Sequence, residues 1–194
     1  MSKQDVIAFF DRCAPGWDKD LVRNETVISR ILDNGGIRAG VDVLDVACGT
    51  GVLIPDYLAR GAASVTAIDI SPEMIRCAQA KFPQEQVQLI CGDVETAQFA
   101  RQFDCCMVYN AFPHFPRPEV LLEKLASVLK PGGRLSVAHG MSRAKIDSHH
   151  SGAASGVSVG LMPETELAEL MRRWFTVDVV ISDDTMYQVS GVKK

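Results

Sequence analysis

Apolar residues in this chain fall into short runs separated by stretches with helical spacing. Runs at 41–46, 64–69, 87–91, 103–109 and 134–139 are rich in Val, Ile, Leu and Cys, and short apolar runs between turn signals predict buried strands. The run at 103–109 is almost wholly apolar, as expected of a central strand covered on both faces. Helical stretches lie between them at 52–60, 71–81 and 118–129. Ser71-Pro72-Glu73 opens the second with a capping serine, a proline at the first helical position and an acid. Gly61 closes the first helix, Pro83 follows the second, and Lys130-Pro131-Gly132-Gly133 stops the third. Two more helices are predicted at 5–12 and 20–34. Such alternation predicts an α/β fold, a mostly parallel sheet with helices on both faces.

The last third reads differently. Residues 141–162 are rich in Ser, Gly, Ala and His with weak periodicity, and predict a loop or lid with room for a short helix. A helix restarts at Pro163-Glu164, with Leu167, Leu170, Met171 and Trp174 at helical spacing. Strands are predicted at 175–181 and 185–192, joined by Ser182-Asp183-Asp184, a link short enough for an antiparallel hairpin at the sheet edge. Tyr187 reads as an edge-strand aromatic. The expected organisation is a single domain over 1–194: a helical cap at 1–40, a core at 41–140, a lid at 141–162, and a helix with edge hairpin at 163–194.

Composition narrows the function classes. The chain has 194 residues, 47% hydrophobic and 23% charged, enough for one sizeable core. A net charge of −4 gives no electrostatic reason to expect nucleic acid or an anionic membrane as partner. No apolar run is long enough to cross a bilayer, and the polar start is not a signal-peptide pattern, so a cytoplasmic location is expected. Six cysteines without a CxxC pair are expected to be reduced, buried thiols, with neither disulfides nor a zinc site.

The chemistry concentrates at Val43-Leu44-Asp45-Val46-Ala47-Cys48-Gly49-Thr50-Gly51, a strand opening into a glycine turn before a helix. Glycine lets the backbone turn sharply and approach a ligand with no Cβ in the way. Asp69, closing the next strand, is placed to accept hydrogen bonds from ribose hydroxyls. A dinucleotide dehydrogenase shares these features. Against it, Ile54 stands where the third glycine of a dinucleotide fingerprint belongs, and Asp45 would repel a pyrophosphate but attract an ammonium.

With these motifs in hand, the chain resembles the class I S-adenosylmethionine-dependent methyltransferases, in particular the small ubiquinone/menaquinone-biosynthesis-like group. The match covers about residues 5–140 well and the rest loosely. It implies a Rossmann-like seven-stranded sheet in the order 3-2-1-4-5-7-6, with the last strand antiparallel, and S-adenosyl-L-methionine as cofactor. By this resemblance Asp45, Ala47, Gly49 and Gly51 form the first motif, Asp69 holds the ribose, and Ile70 and Met74 flank the adenine. Gly92-Asp93-Val94 supplies an acid for the adenine amino group and an amide for a ring nitrogen. Asn110 and Ala111 lie beneath the methionine part. The segment from Phe10 and Asp11 through Ala14 to Trp17 and Asp18 resembles one that closes over the cofactor, Trp17 standing where tyrosine is frequent.

On the acceptor side the expectation is direct transfer to a small molecule. The base-methylating motif Asp/Asn-Pro-Pro-aromatic is absent, since Asn110-Ala111-Phe112-Pro113 stands there. The chain's four histidines are His114, His139, His149 and His150; His114 and His139 are candidate general bases. No metal is expected, and were one bound, His139 and His150 would be the ligands to test. Arg143 is expected to pair with Asp147 at helical spacing. Phe112, Phe115 and Pro116 serve equally as pocket lining or as core packing, and Cys13 is expected to take no part. A protein that binds the cofactor without catalysis, or an NAD-dependent oxidoreductase, stands as the alternative. Oligomeric state is not legible.

Overall fold

A computed structural model describes residues 2–19, 21–150 and 155–194, apart from the side chains of His149, His150 and Ser155. The chain begins with helices α1 (Lys3–Cys13) and α2 (Glu25–Asn34). Strand β1 (Asp42–Val46), helix α3 (Ile54–Ala59), β2 (Ser64–Asp69), α4 (Pro72–Lys81) and β3 (Val87–Cys91) follow. Then come β4 (Phe103–Tyr109), α5 (Pro118–Val128), β5 (Leu129–His139) and α6 (Arg143–His150). Helix α7 (Glu164–Met171) and strands β6 (Phe175–Ser182) and β7 (Tyr187–Lys193) complete the chain.

Among the described residues the strands form one sheet in the order β3-β2-β1-β4-β5-β7-β6. Neighbours are parallel except where β7 runs antiparallel to both β5 and β6. Alternate residues on each strand serve opposite faces. Leu44, Val46, Cys106 and Val108 pack with α5 and α7, while Val43, Cys105 and Met107 pack with α2 and α3. The chain leaves β1 toward β2 and β3 and returns to β1's other side at β4, so a switch point opens at the carboxyl ends of β1 and β4.

Local chemistry moves several boundaries from their expected places. Helix α2 starts at Glu25 because the Asn24 side chain caps it, accepting from the Val27 amide at 3.2 Å. Helix α1 starts earlier than predicted because Ser2 and Asp5 form a reciprocal capping box. Strand β5 takes in the Lys130–Gly133 turn: Leu129 pairs with Phe103, a bulge follows, and regular pairing resumes at Arg134 with Cys105. Tyr187 is fully buried and not an edge residue, because β7 is inserted between β5 and β6. All six cysteines are free, but Cys91 is exposed at the end of edge strand β3, and Cys13 and Cys77 are only half-buried.

A buried polar cluster joins α2 to the last strands. The Gln188 amide donates to Ile31 O at 3.0 Å and to Ser136 Oγ at 2.8 Å, and its oxygen accepts from Asn34 at 2.9 Å. Ser190 donates to Ser136 at 2.8 Å. Satisfied in this way, polar groups in the core specify one arrangement of their neighbours.

Candidate active site

At the switch point β1 runs into a bend that holds Ala47, Gly49 and Gly51 at φ 53°, 56° and 83°. At the end of β4, Asn110 has φ 54°. Ala47 and Asn110 are the non-glycine residues with positive φ among those described, and they stand at adjacent strand ends. Such strain persists where surrounding bonds over-determine it. Here Asn110 Oδ1 accepts from the Gly140 amide at 3.0 Å, and the Asn110 amide donates to Ala138 O at 2.9 Å.

The two glycines differ in their work. A Cβ on Gly49 would sit 3.9 Å from Trp17 Nε1 and 4.0 Å from Met74 Sδ, so the space above it is open and bounded by those side chains. A Cβ on Gly51 would strike the Phe82 ring at 2.6 Å and Ile54 Cδ1 at 2.8 Å. Gly51 therefore serves packing and turn geometry, and it does not line the cavity.

That cavity has a volume of about 770 Å³. Trp17, Asp45, Ala47, Gly49, Asp69, Ile70, Met74, Gly92, Asp93, Val94, Asn110 and Ala111 line it, together with His114 and His139. Phe115 and Pro116 are in the lining, whereas Phe112 packs in the core. Cys13 also borders the cavity.

Of the two acids at its floor, Asp69 is fixed by backbone donors. Asp69 Oδ2 accepts from the Gly49 amide at 2.8 Å and Oδ1 from the Ser71 amide at 2.9 Å. Each oxygen keeps a lone-pair direction for a ligand hydroxyl. Burial raises the Asp69 pKa against the pull of these donors. Asp45 is 3% exposed, and burial, with Asp69 adding repulsion, pushes its carboxyl up to about 7. The Tyr57 hydroxyl beside it opposes that rise without meeting it in a well-aligned hydrogen bond. A buried Asp45 with little internal compensation, beside a second buried acid, suits a ligand that brings positive charge.

The roof is pinned by its own acids. Asp11 on α1 accepts from Ser71 Oγ at 2.5 Å, and Asp18 accepts from Thr50 Oγ1 at 2.6 Å and Lys81 Nζ at 2.7 Å. Lys3 reaches the cavity wall, where its ammonium bonds Asp93 Oδ2 and lies 2.7 Å from Glu95 Oε2. Asp93, the acid expected to face an adenine amino group, thus already holds a cation on one oxygen. Nothing in the sequence marks Lys3 or Glu95 for this place; only the capping box shows that α1 begins there.

At the other end, His114 sits on a 3-10 turn, Phe112–His114, just after β4. Its Nδ1 lies 2.6 Å from the Val157 carbonyl, and Phe10 packs edge-on against the ring at 5.0 Å. His139, at the end of β5, is 3% exposed and meets the Tyr187 ring at 5.9 Å. The side chains of His149 and His150 lie outside the described residues. Arg143 and Asp147 pair at 3.6 Å along α6. Among the described residues no group of three or more His, Cys, Asp or Glu is able to hold a metal ion, and no helix is long and apolar enough to cross a membrane.

The strand order and the bend at the switch point define a class I methyltransferase fold. Residues 43–133 match the methyltransferase domain family, so the chain carries a methyltransferase domain. Ribosomal protein L11 methyltransferase of Laribacter hongkongensis (strain HLHK9) is 30% identical over 163 residues, 83% of this chain and 47% of that protein. Ubiquinone biosynthesis O-methyltransferase of Xanthomonas axonopodis pv. citri (strain 306) is 40% identical over 101 residues, 50% of this chain and 42% of that protein. The chain thus spans about half the length of these two curated relatives. Among solved structures, the DhpI–SAH complex superposes with TM-score 0.75 at 22% identity, over 97% of this chain and 95% of that one. A chain of the complex formed by the Haloferax volcanii Trm112 methyltransferase activator gives TM-score 0.80 at 22% identity, over 95% and 97%. These two structures share the fold.

Proposed function

We propose that the protein is an S-adenosylmethionine-dependent methyltransferase that acts on a small-molecule acceptor by direct in-line transfer. The observation that carries this reading is the buried acid pair, Asp45 and Asp69, flanking a glycine bend at the floor of the cavity. When bound, S-adenosylmethionine supplies an electrophilic sulfonium methyl group. Asp69 would hold its ribose hydroxyls, Asp45 its ammonium, and Ile70 and Met74 its adenine. Gly92, Asp93 and Val94 would border the adenine edge, with Lys3 sharing Asp93. Ala47, Gly49, Asn110 and Ala111 would form the floor under the methionine part, and Trp17 the roof. His114 and His139 border the space left for the acceptor, and either is a candidate to receive its proton. Positioning and exclusion of water by the roof and by Met141 and Ile146 would contribute most of the acceleration.

The relatives act on both protein and small-molecule acceptors by their names. A cavity of about 770 Å³ bordered by the roof favours the small molecule here. Calorimetry with S-adenosylhomocysteine and with NAD tests the cofactor, and labelled-methyl transfer to metabolite extracts tests turnover. Binding without turnover would favour the sensing alternative. Asp69→Ala is expected to weaken S-adenosylhomocysteine binding by about 1–3 kcal/mol, the cost of leaving polar partners unmet. An unchanged affinity would remove Asp69 from the site.

A further inference from the structure

Tyr57 and Tyr187 are the largest fully buried side chains among the described residues, and their hydroxyls differ. Tyr187 donates to Met162 O at 3.0 Å, whereas the Tyr57 hydroxyl, on α3, meets no aligned partner. A hydroxyl buried in this way is destabilising, and phenylalanine would fill the same space without it. The oxygen of Tyr57 therefore needs a reason that packing does not supply.

Its surroundings supply one. Val43 and Asp45 lie two residues apart on one face of β1, and Tyr57 packs with Val43 on that face. The hydroxyl stands beside the Asp45 carboxyl. Asp45 borders the cavity and Tyr57 does not, so the carboxyl has ligand space in front and a tyrosine behind. Across the sheet its neighbours are Ala67 and Met107, whose side chains carry no donor. Asp69 adds negative charge from β2, and burial keeps the Cys48 thiol of the bend neutral. The other charged side chains of the lining are Asp93, Glu95 and Lys3, and Lys3 is engaged by those two acids; His114 and His139 are also in the lining. Tyr57 thus brings the side-chain donor that stands beside Asp45.

A hydroxyl serves either state of an acid, accepting from a neutral carboxyl and donating to a carboxylate. An ammonium arriving in the cavity calls for the carboxylate. A carboxylate shut away from water needs a donor on the side its ligand does not reach. We infer that Tyr57 is a positioning residue for the cofactor's ammonium: its hydroxyl donates to Asp45 from behind once that acid is charged, and so sets how strongly the site favours a ligand with an amino-acid tail. This rests on the reading that the cavity takes S-adenosylmethionine. Below about pH 7 the proton of Asp45 leaves for solvent as the ammonium enters.

Calorimetry on the full chain tests this with two probes. S-adenosylhomocysteine carries the ammonium; 5′-methylthioadenosine keeps the adenosine and thioether but lacks the amino-acid tail. Loss of a donor to the charged form disfavours it, so in Tyr57→Phe the pH at which S-adenosylhomocysteine affinity levels is expected to move up by about one unit. Its binding is then about tenfold weaker than wild type at about pH 6, and within about twofold at about pH 8.5. 5′-Methylthioadenosine is expected to bind the two proteins equally at both pH values, which also shows that the variant is folded around the cavity. The inference is overturned by an unmoved pH profile in Tyr57→Phe, or by an equal loss of affinity for both probes. If the wild type binds neither probe, the cofactor reading itself fails and takes this inference with it.

Discussion

Asp45→Asn is expected to make the ligand-free protein more stable and its cofactor binding much weaker. Asp45 is buried at the cavity wall, and burial together with Asp69 pushes its carboxyl from the ordinary 3.8 up to about 7. The folded state then keeps a proton that the unfolded chain has lost. Between about pH 4 and pH 7 the unfolded state binds fewer protons, so this group lowers stability progressively across that window and fully above it. A rise from 3.8 to about 7 corresponds to at most about 4 kcal/mol. Asparagine has no such penalty, so its gain in urea unfolding should be largest near pH 8 and vanish near pH 4. Binding shows the opposite sign. Attraction for an ammonium is lost, and truncating one side of a buried charge pair costs about 2–5 kcal/mol. In the wild type, S-adenosylmethionine affinity should rise up to about pH 7 and then level, with protons released to the buffer below that. Calorimetry in two buffers of different ionisation enthalpy reads this directly. A flat pH profile in the wild type would show that Asp45 does not meet the ammonium.

Gly51→Ala is expected to cost about 2–5 kcal/mol of folding stability. One part is conformational: Gly51 has φ +83°, and a left-handed alanine costs about 1–2 kcal/mol. The other is crowding against the Phe82 ring and the fully buried Ile54, where overpacking costs about 1–3 kcal/mol. Gly40 separates the two, since it has φ +82° with nothing within 4 Å of an added Cβ. Gly40→Ala should therefore lose only the conformational part. Equal midpoints for the two variants in urea would show that Phe82 and Ile54 give way freely.

The sheet was legible because its strands carry the period-two and all-apolar patterns that a covered parallel sheet demands. Three strands, β2, β3 and β4, fall on the predicted residues. Where the pattern misled, a short-range bond decided. Asn24 set the start of α2, and pairing of Leu129 with Phe103 drew the Lys130–Gly133 turn into β5. The bend and its acids were readable because glycines and carboxylates at strand ends have few other uses. Lys3 was not, because a surface-type lysine acquires meaning only when α1 lies across the end of β3. The division of labour between Gly49 and Gly51 was hidden too, since it depends on Phe82 arriving from the far end of α4. The resemblance pointed to the cofactor half; the grip of Val157 on His114 comes from a stretch with no periodicity to read.

Gln188 has a consequence well away from its own bonds. An antiparallel partner can slide along β5, and a shift of one residue would turn every side chain of β7 to the opposite face. The amide of Gln188, met by Ile31, Asn34 and Ser136, acts as a locating pin that admits a single alignment, with Ala138 opposite Gln188 and His139 opposite Tyr187. The shape of the acceptor end is thereby indexed to α2 on the far side of the sheet. Removing the pin, for example with Gln188→Leu, would be felt as blurred substrate choice before it was felt as unfolding.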